Sequence, residues 1–220
     1  TSAQRTQTLI QGSFGLGGYA LSKLFKIGKD GVTFESINKS EFKAAIKGLD
    51  KESKALARGY FNAINSKETH TVEVVKRSEK LSSASLASLK AQHDNVSKTG
   101  LDIDKNHGGG FSGSTPKDGI HAIVVMDSKS KIEFQYSDNV ARASLPGEIL
   151  AHELIGHGMG GRVMLTDGKD EAVQAGNLFL KAAGYTYYRK DHGLQPNDPN
   201  TNPRGIPSYL TEYDPFNPFD

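Results

Sequence analysis

The apolar positions of the chain recur with two periods, and the switches between them divide it into elements. Ser40 is placed to cap a short helix through Ile46, and Asp50 to cap a second one. In the second, Leu56, Tyr60, Phe61 and Ile64 share one face. THTVEVVK, residues 69–76, is β-branched and predicts a strand. Residues 82–94 predict a modest helix with Leu86 and Leu89 inward, and the Gly-rich run 105–119 predicts a loop. IHAIVVM (120–126) and KIEFQY (131–136) flank DSKS and predict a hairpin. Pro146 then opens a helix through about residue 158, with Glu148 near its positive end. A further helix runs from Asp170 to Ala183 and stops at Gly184.

Outside this stretch the patterning weakens. Residues 1–35 form a Gly-rich arm in which Leu16, Ala20 and Leu24 keep helical spacing against the glycines at 15, 17 and 18. Six of the eight prolines fall in residues 196–220, which predicts an extended tail pinned by its aromatics. Residues 36–195 are left as a single domain.

Composition narrows the function classes. The 220 residues carry 27 basic and 25 acidic side chains, a net charge of +2, so nothing asks for nucleic acid. The absence of cysteine removes disulfides, thiol nucleophiles and thiolate metal sites together. No apolar run reaches the length of a spanning helix, so stable membrane insertion is not expected. The Gly-rich run matches neither GxxxxGK[ST] nor GxGxxG between a strand and a helix.

LAHELIGHGMGG, residues 150–161, carries the chemistry. Zinc hydrolases use HExxH, in which two histidines four residues apart share a helix face and hold the metal. The glutamate between them takes a proton from water at the metal. Here His152, Glu153 and His157 are spaced HExxxH, one residue longer. At about 100° per residue, positions i and i+4 differ by about 40° but i and i+5 by about 140°. The two histidines converge only if the helix absorbs one extra residue, as a π-bulge does, and Gly156 is the permissive position for it. A buried helix with incidental histidines is the competing reading. It places His152 and Glu153 unpaired among Ile149, Leu150, Leu154 and Ile155, which is costly.

HELIGHG resembles the HExxGH motif of the dipeptidyl peptidase III family of zinc exopeptidases over about eight residues. More broadly, residues 119–192 resemble the metallopeptidase toxin domains at the C-termini of bacterial Rhs and related polymorphic toxins, and secreted effector zinc proteases of pathogens. Those families usually carry plain HExxH. The resemblance implies a delivered effector or toxin, released from a larger precursor into a target cell, with a cognate immunity protein in the producer.

A catalytic zinc needs a third protein ligand and an open fourth position. The metzincin position, six residues after the second histidine, is Val163 and cannot ligate. The helix that follows offers Glu171, with Asp170 and Asp167 in reserve. Glu171 keeps helical spacing with Ala175 and Leu178 and also matches the ligand position implied by the toxin resemblance. As a first-turn acid serving the helix dipole, it would have a purely structural role instead. A donor for the developing oxyanion is sought among Tyr187, Tyr188, Arg189 and His192, with Tyr188 taken as the catalytic candidate. Asn177 is placed to orient a ligand. His121, on the strand before the site, is a reserve ligand; that strand is also a candidate for pairing with an extended substrate. His107 is read as overhanging the cleft from the Gly-rich loop, and His70 and His93 as structural.

The sequence thus predicts one α+β domain of zincin type: a small mixed sheet packed on helices, with the HExxxH helix flooring the cleft. The expected activity is zinc-dependent hydrolysis of a protein or peptide substrate. His152, His157 and Glu171 are the expected ligands and Glu153 the base. A metal-stabilised interaction domain, with His121 or His192 closing a four-ligand site, is one competing reading. A zinc amidohydrolase acting on a non-protein amide is the other.

Overall fold

A computed structural model describes residues 2–12, 39–65, 69–92, 98–115, 120–157, 169–190 and 192. Helix α1 (Ser2–Gly12) is followed by α2 (Lys39–Ile46), α3 (Lys51–Asn65), strand β1 (Thr69–Val75), α4 (Ser83–Gln92) and α5 (Gly100–His107). Then come β2 (Gly110–Thr115), β3 (Ile120–Met126), β4 (Glu133–Gln135), β5 (Ala141–Ala143) and α6 (Pro146–Leu150). Helix α6 runs straight into a π-helix, Ala151–His157, and α7 (Lys169–Ala182) is the last element among the described residues. The fold is α+β, as the patterning predicts.

Strand β3 is the centre of a three-stranded mixed sheet of order β1-β3-β2. β1 runs parallel to it from Thr69↔Ile120 to Val75↔Met126, and β2 antiparallel from Gly110↔Val125 to Thr115↔Ile120. Ala122 to Met126 are fully buried because helices cover both faces. On one face Val72, Val74, Ile123 and Val125 join Leu56, Tyr60, Leu150, Leu154, Ile155 and Leu178 in the main core. On the other, Val75, Val124 and Met126 pack with Leu81, Leu89, Ile103 and Phe111. The outer edge of β1 is covered by α1: Arg5 Nε donates to the Val74 carbonyl at 2.8 Å, and the Val74 N–H donates to Ser2 Oγ at 2.7 Å. That removes one open strand edge. Among the described residues no helix is long and apolar enough to cross a membrane.

Several local signals act as the sequence suggests. Asp50 caps α3, accepting from the Ser53 N–H at 2.9 Å. Gly184 ends α7 in left-handed backbone, φ 85°; the Tyr185 N–H bonds the Leu180 carbonyl and the Gly184 N–H that of Lys181, a Schellman motif.

Four expectations are corrected. Within the run 105–119, residues 105–107 lie in α5 and 110–115 form β2 and are not loop; 116–119 lie outside the described residues. Helix α5 is fixed by a capping box, with Thr99 Oγ1 accepting from the Asp102 N–H at 3.3 Å and Asp102 Oδ2 from the Thr99 N–H at 2.9 Å. Strand 120–126 does not form a hairpin with 131–136. Its neighbours are β1 and β2, while β4 pairs with β5. With a strand on each side, β3 is closed to substrate pairing. His107 is the last residue of α5, its ring edge-on to Phe111 with centroids 5.2 Å apart. The helical pattern of residues 16–24, the glycines after His157, Asp167, His93 and the tail 196–220 lie outside the described residues, as do the side chains of Ile64, His70, His121 and Asp170.

Candidate metal centre

The site is built on one continuous helical segment, α6 and the π-helix. Pro146 supplies the fixed φ of a first turn. Glu148, buried at the positive end, accepts from the Leu145 N–H at 3.1 Å, from Tyr136 Oη at 2.8 and 2.9 Å, and from Ser144 Oγ at 3.1 Å. Burial raises its pKa despite these donors.

From Ala151 the helix widens to π geometry, whose hydrogen bonds close one residue later than in an α-helix. That is the change HExxxH requires. His152 and His157 come onto one side, with ring centroids 5.0 Å apart at 78°. A third imidazole joins them. His192 lies 4.9 Å from the His152 ring and 5.4 Å from that of His157. One ring nitrogen from each of the three falls within 4.8 Å of the others. This group can hold a metal ion.

Gly156 is needed for a reason other than helix widening. A Cβ there would meet the Cα of Ala172 and lie 2.8 Å from its Cβ, so only glycine lets the π-helix seat on α7. On the opposite side Gly110 of β2 crosses close over Glu153: a Cβ there would stand 3.0 Å from Glu153 Oε1.

The electrostatics follow from burial. His152 is 7% exposed and its pKa is held well below 6.5, first by desolvation and then by the charges of Arg189 and the other two histidines. A hydrogen bond with the backbone of Ala172 acts the other way. Because it favours the protonated ring, its partner is the carbonyl, and it leaves the second ring nitrogen as a lone pair for a cation. Glu153, 8% exposed, is pushed up to about 8 by desolvation, with Arg189 pulling it down. Three imidazoles converging on one point without an acidic partner in the group fit a divalent cation well.

Arg189 is the central buried cation, 7% exposed, its guanidinium 3.5 Å from the centre of the Phe134 ring. Asn177 binds its backbone on both sides, Oδ1 accepting from the Arg189 N–H at 2.7 Å and Nδ2 donating to its carbonyl at 3.0 Å.

Of the residues singled out from sequence, the structure gathers His152 and His157 and adds His192, which the sequence offers as an oxyanion donor or a fourth ligand. Glu171 is buried at 8% exposure on α7 but does not belong to the three-residue group found among the described residues. Tyr188 lines a groove of about 540 Å³ together with Tyr185, Tyr187, Asn177 and Lys181, and none of the three histidines lines it. No spacing rule could have found His192, which stands 35 residues after His157, past the last regular element among the described residues.

Compared with known proteins, the chain matches no family model, no curated protein and no solved structure.

Proposed function

We propose that the chain is a zinc-dependent hydrolase of peptidase type, with His152, His157 and His192 as ligands and a zincin-like arrangement of helix and sheet. The observation that carries this reading is the π-helix, which brings two histidines five residues apart into one group with a third. His192 takes the place expected of Glu171. Three imidazoles make a recurrent catalytic zinc set that leaves a position open. Zinc held this way supplies a Lewis acid that polarises a carbonyl and makes water acidic near pH 7.

The rest is the work of the chain's own groups. Glu153, held beside the three imidazoles, takes the proton from the attacking water on a carboxylate oxygen and returns it to the leaving amine nitrogen. Gly110 confines that carboxylate against β2, so the base is held in place by backbone. The Ala172 hydrogen bond fixes the tautomer of His152. Tyr188 is assigned no step, since its groove is not lined by the histidines. Action as a delivered toxin or effector, with an immunity partner, is proposed on the resemblance of residues 119–192 alone.

The test combines metal analysis with a peptide-library cleavage screen. We expect one equivalent of zinc in the wild type. Glu153→Gln should keep that zinc and lose about 10²- to 10⁴-fold in hydrolysis. Full activity in zinc-loaded Glu153→Gln would remove the mechanism. Slow exchange at a closed site, without hydrolysis of any peptide, would favour a metal-stabilised interaction domain instead.

A further inference from the structure

We propose that Arg189 is the positioning residue that fixes His192 in the three-histidine group. The proposal rests on reading that group as a metal centre. His152 and His157 are placed by a helix, but His192 is not on any helix or strand. Among the described residues, the segment before it is what holds it in place. That segment is laid along β4: the Ser137 N–H donates to the Tyr188 carbonyl at 2.8 Å, and the Lys190 N–H to the Gln135 carbonyl at 3.2 Å. An isolated bridge pairs Arg189 with Tyr136. Beyond this point the Arg189 side chain turns back, and its Nη2 donates to the His192 carbonyl at 2.6 Å.

Arg189 is itself held from three directions. Asn177 on α7 takes both of its backbone groups, Phe134 of β4 lies under its guanidinium, and the bridge to Tyr136 fixes its peptide. One buried residue therefore ties α7, β4 and the third histidine into a single geometry. The task suits arginine. Its planar fork can stack on a ring and still aim an N–H at a carbonyl, whereas a lysine ammonium is a point charge on a flexible stem. Groups that orient a metal ligand typically contribute 10- to 100-fold in metal affinity.

The test measures zinc affinity by competition with a chromophoric chelator, the visible spectrum of the Co²⁺-substituted protein, and metal-free thermal unfolding. The variants are Arg189→Lys and Asn177→Ala, with His192→Ala and His152→Ala as references. We expect both positioning variants to keep a cooperative metal-free transition and to bind zinc about 10- to 100-fold more weakly. Their Co²⁺ spectra should shift toward that of His192→Ala, a change that loss of general stability would not produce. Wild-type affinity and spectrum in either folded variant overturn the proposal; if Arg189→Lys does not fold, Asn177→Ala decides alone. If His152→Ala abolishes binding while Arg189→Lys and Asn177→Ala bind as wild type, this inference falls and the metal centre stands. A wild-type protein that takes up neither ion removes both.

Discussion

His157 Nε2 and His192 Nε2 stand 3.2 Å apart although 35 residues separate them in the chain. Two imidazole nitrogens this close, joined by a third from His152, share one proton or one cation. The contact links the end of the π-helix to the segment that follows α7.

The first prediction concerns the ligand set. His192→Ala should lower zinc affinity by about 100-fold or more, since it removes a ligand where removing an orienting group already costs up to about 100-fold. Glu171→Gln should stay within a few-fold of wild type. A chelator competition series reads both. The opposite ranking would return the third position to Glu171.

A second prediction concerns the seat of the π-helix. Gly156→Ala places a methyl group against the Ala172 backbone, which cannot withdraw as a flexible side chain would. Overpacking of this kind costs about 1–3 kcal/mol. Urea unfolding of the metal-free variant should show that loss. Zinc binding should weaken too, because the shift carries His157 away from His152.

The third concerns pH and is read without metal. His152 has a folded pKa depressed below 6.5, so its contribution to stability is present above 6.5 and is lost as pH falls below it. Glu153 has a folded pKa raised from 4.5 to about 8, so its contribution is present at low pH and lost as pH rises through that window. Thermal midpoints should therefore fall on both sides of a slightly acidic to neutral optimum. His152→Gln should flatten the acid limb and Glu153→Gln the alkaline one. A limb that persists unchanged in its own variant would show that another group titrates there.

A fourth tests the support beneath the site. Tyr136→Phe removes the hydroxyl that donates to both oxygens of buried Glu148. Leu145 N–H and Ser144 Oγ remain as donors, so the loss is that of one hydrogen bond to a charged group, about 1.5–3 kcal/mol. Chemical denaturation should register this, with zinc stoichiometry unchanged.

Much of this fold is legible in the sequence where local chemistry and long-range packing agree. Asp50, Pro146 and Gly184 mark helix ends by their own side chains or backbone, and β3 is apolar enough to be read as a strand. The misses arise where long-range packing decides. The glycines of β2 argue for a loop, yet Gly110 lies in a strand and passes close to Ile149 and Glu153. The partner of β4 is chosen by tertiary register, not by the nearest apolar run. Helix α5 is the exception, because Thr99 and Asp102 already spell a capping box in the sequence. Of the site, the convergence of His152 and His157 follows from spacing once a wider turn is allowed. His192 does not, because among the described residues it is long-range hydrogen bonds, those of Arg189, Asn177 and Ser137, that bring it there.

The widened turn also bears on how such sites arise. One residue added to an α-helix rotates everything beyond it by about 100° and would scramble the packing of the whole segment. Confined to Ala151–His157, the extra residue leaves the face of α6 before it undisturbed. A lineage can therefore gain or lose one letter inside this motif while the imidazoles keep their meeting point. What such a site requires is the separation of two rings, which a four-residue spacing is not needed to supply.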